Sequence, residues 1–322
     1  MRMKTTSDKN LSSYYERFIE EFEKIRPLSP QEKARLKHLA EEGPFMDLRS
    51  DWAFKHIMAD TDILKKLLND ILPVSIDEVT PLPNEVDRFF AGDKDVTMDV
   101  LCKSADESRQ FIVEIQRSKE AWFTERMLYY GASMFHSQIK AGDNYDILCP
   151  VFVICFMDFE LPHGDDRAIY RYALRETSTG ERYPVLSRPE DDILMINLCE
   201  LPRLQKRPES LNPEEKWLYI LKNMHNFAEK PQDIDETFDR VFELSRLSGL
   251  QDKEKFQYFR DMLSDFQKKN IGTAYYNDGL KAGMERGRAE GRAENAHDIA
   301  RKMLSAGSDP AFIKEMTGVD LS

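Results

Sequence analysis

Residues 148–157, LCPVFVICFM, form an almost unbroken apolar run. The run is too short to cross a bilayer, which takes about 20 residues, and its composition fits a strand covered on both faces. Such a strand needs a sheet with helices packed on each side, so this stretch constrains the chain to a layered α/β architecture. The neighbouring sequence supplies both kinds of element. Residues 96–102 (VTMDVLC), 111–116 (FIVEIQ), 168–175 (AIYRYALR) and 193–198 (ILMINL) read as further strands. Residues 51–72, 118–141, 213–228, 235–247 and 252–269 read as helices. The stripe of 51–72 is Trp52, Phe54, Ile57, Leu64, Leu67, Leu68 and Ile71; that of 118–141 is Trp122, Met127, Tyr130, Met134 and Phe135.

Residues 1–40 are also helical in pattern, with Tyr15, Phe18, Phe22 and Ile25 on one face. Ser29-Pro30-Gln31-Glu32 predicts a helix start: Ser29 as N-cap, Pro30 in the first turn and Glu32 closing a capping box. Gly43-Pro44 ends that unit, and Asn212-Pro213-Glu214-Glu215 repeats the cap logic downstream. Pro73, Pro81 and Pro83 predict loop and short edge structure. In the tail, Gly279, Gly283, Gly287 and Gly291 recur every fourth residue. Each costs a helix about 1 kcal/mol relative to Ala, so either the stretch is flexible or, as the favoured reading, close packing in a homo-oligomer offsets them. A short helical closure follows. The expected organisation is a helical extension (1–44), an α/β domain (45–201), a helical region (202–270) and a glycine-spaced tail (271–322).

Composition narrows the function. Nineteen Phe, 12 Tyr and 3 Trp in 322 residues are enough for a sizeable core. The net charge of -12 argues against indiscriminate coating of nucleic acid or of an anionic membrane; it leaves room for a local basic groove and suits a site that collects cations. The N-terminal stretch lacks the apolar segment of a secretory signal. Cys102, Cys149, Cys155 and Cys199 form no Cys-x-x-Cys pair, which favours reduced thiols in a cytoplasmic protein over a zinc site. The six histidines show no metal-ligand spacing, and Asp143, Asp146, Asp158, Asp165 and Asp166 read as solvated loop residues.

The candidate chemistry lies in two strands. Side chains alternate faces, so Val96, Met98, Val100 and Cys102 share one face, opposite Thr97, Asp99 and Leu101. In the second strand Phe111, Val113 and Ile115 oppose Ile112, Glu114 and Gln116. Folded as a hairpin about Asp106–Glu107, residues whose numbers sum to about 213 become neighbours. Asp99 then faces Glu114 at about 4.5–5.5 Å between Cβ atoms. Carboxylates that close repel unless a proton or cation lies between them. Mg²⁺ takes one or two carboxylates plus phosphate oxygens, and a carbonyl near Ile115 can complete such a set for phosphodiester cleavage. Read on these residues alone, the pair is more simply a solvated surface feature than a catalytic one. Asp51 and Lys55, one helical turn apart, are either a surface ion pair or a third acidic group with a phosphate-binding lysine. Tyr129 and Tyr130 are core residues or phosphate contacts.

Several motifs, in order, resemble the Rpn-type recombination-promoting nucleases and putative transposases of the PD-(D/E)XK nuclease superfamily. They are Asp51-Trp52-Ala53-Phe54-Lys55, Leu68-Asn69-Asp70-Ile71-Leu72, Met98-Asp99-Val100, Val113-Glu114-Ile115-Gln116 and Arg126-Met127-Leu128-Tyr129-Tyr130. The buried strand, Glu200-Leu201, the glycine-spaced tail and Ile313–Gly318 extend the resemblance over most of residues 45–322. It implies a restriction-endonuclease-like core, an α/β (α+β) fold with a mixed central sheet flanked by helices. It also implies a Mg²⁺-dependent (or Mn²⁺-dependent) DNA endonuclease acting in recombination, mobile-element movement or defence, with Asp99 and Glu114 as metal ligands. Gln116 stands where the superfamily usually has Lys; it can orient water but brings no charge. Arg117 should point away from Gln116, which leaves Arg126 as the preferred phosphate contact. The competing reading is a nuclease fold kept as a DNA-binding or self-assembling module without cleavage. A purely helical scaffold is disfavoured by the strands.

Overall fold

The computed structural model of the protein describes residues 6–83, 85–86, 96–163, 165–184 and 191–320. The chain forms two compact units, Met1–Ser264 and Asp265–Ser322. The described strands are β1 (Val79–Pro81), β2 (Glu85–Val86), β3 (Val96–Thr97), β4 (Val100–Ser104), β5 (Gln110–Gln116), β6 (Val151–Met157), β7 (Ile169–Ala173) and β8 (Leu194–Glu200). The helices are α1 (Thr6–Ile25), α2 (Pro30–Glu42), α3 (Asp51–Met58), α4 (Thr61–Ile71), α5 (Phe123–Ser137), α6 (Pro213–Asn223), α7 (Asp239–Leu244), α8 (Asp252–Ser305) and α9 (Pro310–Thr317).

The first unit is built on a mixed six-stranded sheet of order β1-β4-β5-β6-β8-β7. Strands β5, β6 and β8 run parallel, and β4 and β7 pair antiparallel at either side. Strand β6 explains the apolar run, because all seven of its residues are buried. Phe152, Ile154 and Phe156 enter one core with α3, α4 and α6; Val151, Val153, Cys155 and Met157 enter the other beneath α5. The same first core takes Phe18 and Phe22 of α1, Leu36 of α2 and Trp217 of α6. The element changes expected near residues 44 and 201 therefore fall inside one compact unit.

Local chemistry sets the boundaries. Ser29 and Glu32 form the expected capping box of α2, and Asn212 and Glu215 that of α6. The helix predicted over 51–72 is instead two helices, because the Asp60 carboxylate accepts from the backbone of Asp62 and Ile63 and starts α4 afresh. Two residues assigned to apolar stripes lie in solvent: Ile25 is 72% exposed and Trp122 77% exposed. The helix expected over 252–269 continues to Ser305, through all four glycines of the tail. In the second unit Ala300, Ile313 and Val319 form a small core of their own.

Helix α5 lies against β6 and β8 with Gly131 at the point of closest approach. A Cβ built there would stand 2.8 Å from Leu194 Cδ1 and 3.1 Å from Val153 Cγ2. Gly131→Leu should therefore overpack this layer and destabilise the protein by about 1–3 kcal/mol. Equilibrium urea unfolding of the two proteins measures this; an unchanged midpoint would mean the helix stands off the sheet.

Candidate metal and phosphodiester site

Strands β4 and β5 pair with Val100 opposite Val113 and Lys103 opposite Gln110, the register the hairpin arithmetic predicts. The expected single strand over 96–102 is interrupted, however. β3 pairs with β2, and the chain bends at Asp99 before β4 begins. The bend also reverses the expected alternation: Met98 packs with Leu101 and Ile112 under α5, not with Val100 and Cys102. It gives the Asp99 backbone a side-chain partner in place of a ladder bond. The Asp99 N–H donates to Glu114 Oε1 at 2.8 Å, and the Ile115 N–H donates to Asp99 Oδ2 at 3.0 Å. Each carboxylate thus stands where a backbone carbonyl would continue the ladder. Glu114 is buried and the Asp99 side chain is 15% exposed.

Lys55 reaches this pair from α3. Ser50 caps the helix by accepting from the Ala53 N–H, and Phe54 and Ile57 anchor its buried face. Lys55 Nζ then lies 3.0 Å from Asp99 Oδ1 and 2.8 Å from Asp51 Oδ1. Asp51 and Lys55 are thus the expected ion pair, with Asp99 as a second partner of the lysine. Burial, a hydrogen bond with Asp51 and the Asp51 charge raise the Asp99 carboxyl to about 6, against the pull of Lys55. Burial and the Asp99 charge raise Glu114 to about 8. Burial opposes the Lys55 ammonium, but Asp99 and Asp51 outweigh it and raise its pKa.

Gln116 ends β5 on the same face as Glu114. Arg126 Nη2 donates to Gln116 Oε1 at 2.6 Å, and Gln116 Nε2 donates to the Ser118 carbonyl at 2.9 Å. Arginine only donates and a carbonyl only accepts, so these partners fix which end of the amide is which. A second N–H and a second lone pair of the amide remain for a water. Arg126 also binds Glu120 at 2.6 Å and lies over the rings of Phe123 and Tyr130. Its charge acts on Glu114. The positive charge missing from position 116 therefore stands one hydrogen bond further out. Tyr130 is half-buried, its phenol raised by burial and by the Glu114 charge, while Tyr129 is exposed.

Arg117 points to the opposite face, as expected, where it meets a network that sequence reading missed. Its Nη2 lies 2.9 Å from Asp47 Oδ2, and Arg49 pairs with the same carboxylate through Nε and Nη2, each at 2.9 Å. The Tyr258 hydroxyl accepts from the Asp47 N–H at 2.9 Å. Burial would raise the Asp47 carboxyl, but Arg49, Arg117 and His225 hold it at about 2. Arg49 Nη1 also takes Asp158 Oδ2 at 3.0 Å, so Asp158 is an ion-pair partner rather than a solvated loop residue. Asp165 is likewise engaged, by Arg167 and by the Tyr170 hydroxyl. No local pattern marks Asp47, whose partners Arg49, Arg117, His225 and Tyr258 come from four separate segments.

Among the described residues, no group of three or more His, Cys, Asp or Glu side chains is disposed to hold a metal ion. The four cysteines are buried and free. Asp99 and Glu114 nevertheless match what Mg²⁺ asks of a protein, since one or two carboxylates suffice when water and phosphate oxygens fill the remaining positions. Two buried carboxyls held partly protonated are also what a cation would relieve.

The family model of PD-(D/E)XK nuclease family transposases matches residues 48–272. The chain belongs to this family, and its six-stranded mixed sheet with flanking helices fits that assignment. Membership gives it a nuclease- or transposase-like function; nucleases of this superfamily usually use divalent metals. Searches of curated proteins and of solved structures gave no significant match. No helix among the described residues is long and apolar enough to cross a membrane.

The carboxyl pair also governs stability. Both pKa values lie above the ordinary 3.8 and 4.5, so the folded chain keeps protons that the unfolded chain has lost. Their contribution is complete below about pH 4 and is lost as pH rises through about 6 and then 8. In EDTA the urea midpoint should fall between pH 5 and pH 8.5, with Glu114→Gln removing on the order of 2 kcal/mol of that fall. Equal slopes in wild type and variant would disprove the assignment.

Proposed function

We propose that the protein is a metal-dependent DNA endonuclease that hydrolyses phosphodiester bonds in recombination, mobile-element movement or defence against foreign DNA. The observation that carries this reading is the reciprocal hydrogen bonding of Asp99 and Glu114, buried together beside Lys55. Asp99 and Glu114 would hold Mg²⁺, or Mn²⁺ in its place, which would supply charge stabilisation at the scissile phosphate. Gln116 hydrogen-bonds and orients the attacking water, and Arg126 fixes Gln116 while adding positive charge toward the phosphate. Lys55 offsets the charge of Asp99 and Asp51 and donates to a phosphate oxygen when DNA is bound. Tyr130 borders the site beneath Arg126. The α/β segment 45–201 acts as the nuclease, while the glycine-spaced tail pairs copies of the chain. The four-residue spacing of the glycines along one helix supports that pairing.

The test is plasmid cleavage by purified protein with Mg²⁺, Mn²⁺ or EDTA, with folding checked by circular dichroism. Asp99→Ala and Glu114→Ala should each lose more than the about 10–100-fold typical of changes outside the metal ligands. Arg126→Ala should lose an amount within that range, and Gln116→Lys should remain active and recover most of the Arg126→Ala loss. A folded wild type that cuts nothing with either metal, yet binds DNA in a salt-sensitive way, would replace this reading with the non-cleaving DNA-binding module.

A further inference from the structure

The segment from Ser118 to Trp122 joins the end of β5 to the start of α5, and all five of its residues are exposed. It closes with an unusual residue. Trp122 occupies the left-handed region at φ 62° and ψ 27°, as the N-cap of α5, with no side-chain cap bond. Left-handed backbone is rare for a bulky side chain and costs roughly 1 kcal/mol or more. Burial of the indole would offset that cost, yet Trp122 is 77% exposed. The next residue, Phe123, is buried against Phe159, so the helix is anchored without help from the indole.

The position is tied to the candidate site. The Trp122 carbonyl accepts from the Arg126 N–H at 3.0 Å, and the guanidinium of that same Arg126 lies 2.6 Å from Gln116. Lys119, also exposed, stands three residues before Trp122 in the same connection. An exposed aromatic beside basic groups is how proteins hold unpaired bases: the ring stacks on the base face while the cations follow the backbone. The net charge of -12 limits what long-range attraction can contribute, so stacking has more to supply here than in a basic protein.

We propose that Trp122 is a base-stacking residue, which holds an unstacked DNA base beside the phosphate that the site addresses. This rests on the nuclease reading for the identity of the ligand but not on cleavage itself. It favours single-stranded or locally opened DNA over intact duplex.

Intrinsic fluorescence of the full chain in EDTA provides the test. Trp217 is fully buried and bonded to Asp70, and Trp52 is half-buried with its Nε1 bonded to Gln257, so solvent-accessible emission comes mainly from Trp122. A single-stranded 20-base oligonucleotide should quench the acrylamide-accessible emission of wild type. Trp122→Ala should weaken binding of that oligonucleotide about tenfold, with Trp122→Phe retaining most of it. An oligonucleotide with abasic positions should weaken wild type similarly and leave Trp122→Ala indifferent. Unchanged emission on saturation with DNA, or equal affinity of wild type and Trp122→Ala, would overturn the proposal. So would loss of a concentration-dependent oligomer in Trp122→Ala without loss of DNA affinity, which would make the indole a protein contact. Plasmid cleavage measured on the same preparations separates the two readings: quenching without cleavage retires the nuclease alone, and cleavage without quenching retires the stacking alone.

Discussion

Two carboxylates cannot be buried side by side without compensation, and the arrangement around Asp99 and Glu114 supplies it. Coulomb repulsion at such separations is severe in a low-dielectric interior. The chain meets it in three ways. The Asp99 and Ile115 amides donate to Glu114 and Asp99 respectively, the Lys55 ammonium lies at 3.0 Å from Asp99, and the remaining charge is reduced by protonation. None of these works at a distance. The bend at Asp99, α3 on one face of the sheet and α5 on the other bring the Asp99 amide, Lys55 and Arg126 to one end of β5.

That end of β5 is held rigid by a second charged group on the opposite face. Asp47 is only 2% exposed, and Arg49 and Arg117 together satisfy both of its oxygens. Removing one partner of such a buried pair typically costs about 3–5 kcal/mol, because the other charge is left uncompensated. Arg117 directly follows Gln116, and the Gln116 carbonyl accepts from the Asp158 N–H at 2.9 Å. The strand that carries the candidate site is therefore clamped at its last residue by partners from the 47–49 loop, from the exit of β6 and from α8 near Tyr258 and Met262.

The sequence carried the parts of this design that depend on short-range periodicity. Alternation and loop symmetry gave the β4–β5 register, the capping boxes gave the starts of α2 and α6, and the unbroken apolar composition of β6 gave its two-sided burial. The same alternation failed at Met98, since a period-two argument cannot anticipate a bend made where a side chain replaces a ladder carbonyl. The contact of Lys55 with Asp99 and the Arg49–Arg117 clamp on Asp47 were out of reach for a different reason. They join segments 44 and 70 residues apart, and no local spacing encodes which charges meet across such distances.

An acidic protein that acts on DNA must concentrate its attraction. With 58 acidic and 46 basic residues, the chain as a whole repels a polyanion. At physiological salt the repulsion fades beyond about 8 Å, so what matters is the sign of the charge within that range of the phosphate. There the site holds Lys55 and Arg126 against Asp51, Asp99, Glu114 and Glu120, an excess of acid that protonation of the Asp99–Glu114 pair reduces. On the proposed reading, a divalent cation at Asp99 and Glu114 would offset that excess and make the site more favourable to phosphate. On that reading the negative surface elsewhere disfavours nonspecific contact, because DNA gains little by lying anywhere but at the site.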